Sequence, residues 1–543
     1  MLLTVSQMQE VEKAAFACDV KAVDLMEQAG KGIAEGVQQF FPTPGRCVLY
    51  CGKGNNAGDV LVAGRFLAKA GWKISIRAAF PEEEMSELTQ QQMQCLKKKL
   101  SAADFHLGKK GVISKLSTNT EKKTSSNEVS TSQFADAVAN CGTDPLARAA
   151  YFSEKFEKRQ KEGPLILIDG LLGIGAQGEP RGEIKVLIEE LNARRWREGA
   201  FVVAADLPSG LDATTGVPSK SCVEADLTVT IAYGKTGLVA DVATNKVGRL
   251  AVMPLCDLKT TEGDEASLIT SESLRTLLPP RSFDVHKGMF GHVGIIAGSR
   301  GYLGAAQLAS AASVHAGVGL VTLFALPETY ELLATSVLPE VMVKPITSYT
   351  DVLAERLDVL AIGPGLGAQH RPEILEIIEK ASMPCVVDAD ALNALAHEMS
   401  RLLKAQGPRL LTPHPGEMER LFPCQNRTRA AWASNFVEKY PVTLLLKGAR
   451  TIIAEKEKAI AYNTTGNPGM ASGGMGDVLT GVVAAFLASG HQSCAAATLG
   501  AWLCGHAAEI AIFQGTASQE SLAASDVIDN LGRAMKSLRA RVF

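Results

Sequence analysis

Residues 467–477 read "NPGMASGGMGD": four glycines in eleven positions, then one carboxylate, Asp477, where the apolar run "VLTGVVAAFLASG" begins. A backbone stripped of side chains lets N–H groups close around phosphate oxygens, and the dipole of a following helix adds positive potential. The Gly-Lys-Ser/Thr of a Walker A loop is missing, so this is a different kind of phosphate cradle. Asp477 is placed to take the proton of a hydroxyl that attacks a phosphoryl group, while the loop stabilises the moving charge. The bland alternative is an N-cap, but capping alone does not call for so many glycines. Upstream, Lys447 ends the apolar run "VTLLLK", and "TPHPGEMERL" sets His414 and Glu417 on a Pro/Gly-shaped turn. His414 could meet a ring or base, or simply shape the turn, and both readings stay open. "HKGMFGHVGIIAGS", with His286 and Lys287, "GPGLG" (363–367) and "VVDADALN" (386–393) add further glycines and acids beside apolar runs.

The first half carries a different chemistry. "CGKGNNAGD" puts two amides and Asp59 on a glycine turn entering a helix, "LIDGLLGIGAQGEPRG" puts Asp169 at a strand end, and "AADLPSGLDATTG" adds Asp206, Ser209 and Asp212. Hard oxygens without His or Cys suit an alkali or alkaline-earth ion better than a transition metal. Any one of these carboxylates reads equally well as a turn or cap. Three such loops after successive strands point to a site.

These residues need elements to hold them. "RCVLYCG", "WKISIRAA", "PLILIDG", "FVVAADLPSG" and "LTVTIAYG" are short apolar runs separated by helical stretches, which predicts a Rossmann-like, doubly wound parallel sheet in the first half. Ligands in such sheets sit at the carboxyl ends of the strands, where the unusual residues lie. The pattern breaks at about 101–162, a polar Ser/Thr-rich insertion, and again in an acidic stretch read as a linker at 256–272. A fresh α/β series follows: "HVGIIAG", "GLVTLFAL", "VLAIGPG", "PCVVDADALN", "RLLTPHPGE", "VTLLLKG" and "TIIAE". The expected division is therefore one α/β domain over 1–255 and a second, different one over 273–543.

The bulk properties exclude rather than identify. The 543 residues carry a formal net charge of −3, which gives no support to a nucleic-acid surface. Eleven cysteines, scattered without a CxxC pair, indicate neither a disulfide framework nor a zinc site. The start lacks a secretory or transit pattern, and no run approaches the roughly 20 consecutive apolar residues of a membrane span. No membrane partner and a cytoplasmic location are expected.

"GNNAGD", "DGLLGIG", "DLPSGLDATTG" and "ADLTVTIAYGKTG" resemble the successive signatures of the NAD(P)H-hydrate epimerase domain, over roughly residues 1–255 apart from the insertion. The resemblance implies that Asn55, Asn56, Ala57, Gly58 and Asp59 hold a hydrated nicotinamide dinucleotide, NADHX or NADPHX. Gly173, Ile174, Gly175, Ala176, Gln177, Gly178 and Glu179 would complete that contact. It further implies potassium on Asn56, Asp169 and Ser209, and Asp206 as the substrate-contacting acid that handles the hydroxyl proton. Ala57 stands where the family usually has Gly, and Val60 where Gly is common. Strain at Ala57, about 1 kcal/mol, follows only if its φ is positive.

The second-half set, completed by "LKGART" and "GNPGMASGGMGDVLTG", is similar to the ADP-dependent NAD(P)H-hydrate dehydratases, a ribokinase-like branch, over about 270–540. The resemblance implies nucleotide contacts at Lys447, Gly448, Ala449, Arg450 and Thr451. Others fall on Asn467, Pro468, Gly469, Met470, Ala471, Ser472, Gly473, Gly474, Met475 and Gly476. The hydrate would meet Gly365, His414, Pro415, Gly416, Glu417, Met418, Glu419, Arg420 and Asp477. ADP, with ATP as the alternative, and Mg2+ are the implied co-reactants, and a homo-oligomer the implied assembly. Together the halves would interconvert the R and S hydrates and return the S form to NADH or NADPH. The rival reading is a kinase of a vitamin-like alcohol carrying an N-terminal nucleotide-binding module; a non-catalytic scaffold is the third.

Overall fold

The computed structural model describes residues 1–98, 105–107, 163–255, 257–260, 266–423 and 428–540. The chain divides into two compact units, one spanning Leu3–Thr260 and the other Thr261–Phe543 with Met1–Leu2. Apart from the two-residue ribbon β1 (Leu2–Leu3) with β8 (Gly234–Lys235), the first unit is built on one seven-stranded sheet. Its strands are β2 (Arg46–Cys51), β3 (Lys73–Ala78), β4 (Phe105–Leu107), β5 (Leu165–Gly170), β6 (Phe201–Ala205), β7 (Leu227–Ile231) and β9 (Arg249–Met253). They run in the order β4-β3-β2-β5-β6-β7-β9, every pair parallel.

Both faces of this sheet are covered, which is why its strands read as continuous apolar runs. Val48 packs with Ile184, Leu187 and Ile188 of the helix Gly182–Glu198. Leu49, one residue on and so on the other face, meets Gly64 of the helix Asn55–Lys69. Gly30 of the helix Ala22–Phe40 lies so close to Val62 that a Cβ would collide with it. Small residues thus seat two helices tightly behind the strand ends. The strand order reverses between β2 and β5, and the crevice opens there.

The second unit holds a ten-stranded sheet, order β10-β19-β18-β17-β16-β15-β14-β11-β12-β13. These are β10 (Ala266–Ile269), β11 (His292–Ile296), β12 (Leu320–Ala325), β13 (Val341–Pro345), β14 (Val359–Ile362), β15 (Cys385–Val387), β16 (Arg409–Leu411), β17 (Thr443–Leu446), β18 (Ile452–Ala454) and β19 (Ile460–Asn463). All neighbours are parallel except β18, which is antiparallel to both β17 and β19. The meander β17–β18–β19 therefore returns β19 to the direction of β17. Helices Leu303–His315, Met475–Ala488, Ser493–Phe513 and Ala524–Ala540 share one apolar core with this sheet. An added Cβ at Gly481 would strike the Ala309 carbonyl oxygen, and Ser313 Oγ donates to Gly481 O at 3.0 Å. That close crossing fixes the helix whose first turn holds Asp477. Ser493–Phe513 is long and apolar enough to cross a membrane by composition, yet 83% of its apolar window is buried in this core.

Two boundaries differ from the sequence reading. Phe105–Leu107 pairs with β3, so the sheet continues into the stretch read as insertion, the rest of which lies outside the described residues. Ala266–Ile269, inside the stretch read as linker, pairs with β19. A four-residue edge strand carries too little apolar pattern to stand out among acidic neighbours.

Candidate active sites

In the first unit the loops after β2, β5 and β6 meet at the switch point. Asp169, fully buried, accepts from Ser209 Oγ and Ser209 N, both at 2.7 Å, and from Leu171 N at 3.1 Å. Burial pushes its carboxyl up to about 6 against the pull of those donors. Asn56 Nδ2 donates to Leu172 O at 2.7 Å, while Ser209 Oγ accepts from Leu172 N at 2.9 Å. Asn56 Oδ1 is buried without a hydrogen-bond partner. Sequence-expected Asn56, Asp169 and Ser209 thus converge through Leu171 and Leu172.

Asp206 faces another group. It sits at φ +65°, strained for a non-glycine residue, and accepts from Ile231 N at 3.0 Å and from buried Lys235. Lys235 Nζ also donates to Ile231 O at 2.9 Å and to Thr230 Oγ1 at 3.2 Å. Burial, then the charges of Asp206 and Glu12, push the Asp59 carboxyl well up, against the pull of Lys235. Burial likewise raises Glu12. Lys235 and Glu12 escaped the sequence reading; the signal for Lys235 was a cation in "YGKTG", a few residues beyond the buried strand Leu227–Ile231. A cavity of about 270 Å³ is lined by Gly173, Ala176, Gly178, Glu179 and Ser209 among others. Asp212 is occupied by its own turn, accepting from Thr215 N and Thr214 N, which lowers its pKa. Ala57 is buried inside the helix Asn55–Lys69 and is not among the positive-φ residues, so it carries no strain.

In the second unit "GPGLG", "DADALN", "TPHPGE" and "LKGART" follow β14, β15, β16 and β17, four adjacent parallel strands. Asp477 is not a cap: Gly474, at φ +87°, is the N-cap of Met475–Ala488, with no side-chain capping bond. Burial first, then Asp388, push the Asp477 carboxyl up to about 6, while Lys447 pulls the other way and Asp390 adds to the rise. Lys447 Nζ donates to Asp388 Oδ1 at 2.8 Å and lies 3.9 Å from Glu417 Oε2. Burial works against its charge, but Asp388, Glu417 and Asp477 outweigh that and hold the ammonium above its ordinary value.

His414 caps Pro415–Leu421: its Nδ1 accepts from Gly416 N at 3.0 Å and Glu417 N at 3.3 Å, and Glu417 Oε2 accepts from His414 N. A neutral ring then carries its proton on the half-exposed Nε2 side. Gly365, at φ +63°, has its carbonyl held by Ser299 Oγ at 2.8 Å, and Gly367 N donates to Asp390 at 2.8 Å. Arg420 bonds Asn393 at 3.0 Å and Glu419 is exposed. Met418 and Arg450 are buried, so neither offers side-chain surface to a ligand. Gly448, Ala449, Pro468, Ala471, Ser472 and Gly473 are exposed, and Gly469 is buried against Gln519. Asp388, absent from the sequence expectation, sits at the centre of this group.

Fold and sites define a two-part α/β chain, one part with a carboxylate-lined crevice, the other with a glycine anion loop and a basic carboxylate. The family described as "YjeF-related protein N-terminus" matches residues 22–237, and that described as "NAD(P)H-hydrate dehydratase" matches 293–530. The bifunctional NAD(P)H-hydrate repair enzyme Nnr of Moorella thermoacetica is 34% identical over 100% of this chain and 98% of its own length. Its namesake in Escherichia coli K12 is 31% identical, over 92% of this chain and 87% of its own. Among solved structures, the ADP/ATP-dependent NAD(P)H-hydrate dehydratase of Bacillus subtilis, co-crystallised with ATP/Mg2+, is 28% identical. It covers 50% of this chain and 99% of its own, with a TM-score of 0.45. The chain belongs to the bifunctional NAD(P)H-hydrate repair enzyme family.

Proposed function

We propose that the first unit interconverts the R and S hydrates of NADH and NADPH and that the second dehydrates the S form at the expense of ADP. The observation that carries this reading is Asp477, a half-buried carboxylate pushed up to about 6 at the foot of a glycine loop. Such a group takes the proton of the ring hydroxyl as that oxygen attacks the terminal phosphoryl of ADP, which leaves AMP. Loss of inorganic phosphate from the ring and of a neighbouring C–H proton then restores the dihydronicotinamide. Backbone N–H groups of Ser472–Gly476 balance charge on the phosphoryl, with Lys447 and the turn to Thr451 beside them. Gly365 and the His414–Arg420 turn border the hydrate.

In the first unit Asp206, held by Lys235, takes and returns the hydroxyl proton while Asn55–Asp59 and Gly173–Glu179 border the dinucleotide. Potassium fits there: Asn56 Oδ1, buried and unpartnered, and the oxygens of Asp169 and Ser209 are a hard donor set. Bound, it would order the crevice and offset negative charge. Mg2+ would offset charge on the nucleotide phosphates. ATP as an alternative donor, a homo-oligomeric assembly and a cytoplasmic location complete the reading.

The test is recovery of reduced-nicotinamide absorbance from a hydrate mixture, with ADP and ATP compared. No recovery with either nucleotide, together with phosphorylation of a small alcohol, would replace this reading with the kinase one.

A further inference from the structure

We infer that Asp388 is a positioning residue for the dehydratase chemistry: it fixes Lys447 and Thr480 beneath Gly476 and so sets the charge environment of Asp477. The inference rests on Asp477 being the base and adds what tunes it. Asp388 is 1% exposed, at the end of β15. Its two oxygens are spent on the protein, Oδ1 on Lys447 Nζ and Oδ2 on Thr480 Oγ1, each at 2.8 Å. It is therefore poorly placed to bind a ligand and acts through its partners.

The location of the pair is given by Gly476. A Cβ there would stand 3.3 Å from Lys447 Nζ and 3.6 Å from Asp388 Oδ2, so the pair lies directly under the peptide preceding Asp477. Asp388 thereby joins three elements: β15, the end of β17 through Lys447, and the helix Met475–Ala488 through Thr480, one turn beyond Asp477. The other charged groups facing this point are Glu417, 3.9 Å from Lys447, and Asp390, held by Gly367 N. Negative Asp388 opposes ionisation of Asp477 and positive Lys447 favours it, in line with the rise to about 6. The two partners of one ion pair thus push the base in opposite directions.

Opposite signs make the test sharp. With full-length enzyme, ADP and the purified S hydrate, the acid limb of kcat/KM is expected near pH 6 in the wild type. Asp388→Asn should move it to lower pH, and Lys447→Met to higher pH, each by about one pH unit. A merely structural pair would lower turnover in both variants with the limb unmoved, and that result overturns the inference. Where turnover is too slow to follow, the carboxylic-acid infrared band that Asp477→Asn removes gives the same reading. Its titration midpoint should fall in Asp388→Asn and rise in Lys447→Met, and an unmoved midpoint counts against the inference equally. Retained turnover in Asp477→Asn would remove the base assignment, and the inference with it.

Discussion

The ammonium of Lys235 and the carboxylate of Asp206 meet inside the first unit, where the lysine side chain is 1% exposed. Removing one charge leaves the other buried without its partner, which costs about 3–5 kcal/mol, whereas removing both is close to neutral. Lys235→Met should therefore destabilise the first unit strongly, and adding Asp206→Asn should recover much of the loss. Scanning calorimetry decides it: a double variant no more stable than the single one would mean the pair is not coupled. Epimerisation should be lost in both.

Asp477 carries a stability signature that is separate from activity. Its folded pKa, about 6, lies above the ordinary carboxylate value, so folding favours the protonated form and loses stability as pH rises through that range. Asp477→Asn should stabilise the folded chain at pH 8 by on the order of 1–2 kcal/mol after allowance for partial exposure, read as a higher melting temperature. At pH 4, where the folded-state carboxyl is protonated, most of the gain should vanish. A gain of the same size at both values would point to packing rather than charge.

Neighbouring glycines in the anion loop should separate binding from folding. Gly473 has no atom within 4 Å of an added Cβ, so Gly473→Ala should melt like the wild type while weakening ADP, whose phosphates would share that space. Gly474 has φ +87° and little room beside Leu308, so Gly474→Ala should cost about 1–2 kcal/mol. Titration calorimetry with ADP, run beside thermal melts, distinguishes the two. Equal ADP affinity in Gly473→Ala and wild type would argue that phosphates do not enter the loop there.

Exchange of potassium for choline should lower the melting temperature of the first unit, because a ligand bound only to the folded state stabilises it by mass action. Asn56→Ala, which deletes the unpartnered Oδ1, should make that unit indifferent to the exchange. Persistence of the potassium effect in Asn56→Ala would exclude this residue as a ligand.

Much of this architecture is visible in residue order, for a physical reason. Strands buried on both faces, such as "RCVLYC" and "LILIDG", must be apolar throughout, and they stand out between helical stretches. Edge and antiparallel strands need not be. Val341–Pro345 leaves Met342 exposed, and Ile460–Asn463 is polar at its end; neither had been expected as a strand. The sites divide in the same way. Glycine loops announce themselves because few other roles require them, so Asp477, Asp169 and Asp206 were legible. Asp388 and Lys235 lie buried, and a buried acid or lysine looks like any other charged residue until its partner, 59 or 29 positions away, is known.

The meander of β17, β18 and β19 has a bearing on how the second unit assembles. Its pairings join neighbours in sequence, so the two segments read as nucleotide contacts come together through local contacts with little loop entropy to overcome. The link between Asp388 and Lys447 spans far more chain and closes at greater entropic expense. In a refolding experiment the meander should gain amide protection before that ion pair forms. The enzyme would then be able to recognise a nucleotide earlier in its folding than it can turn one over.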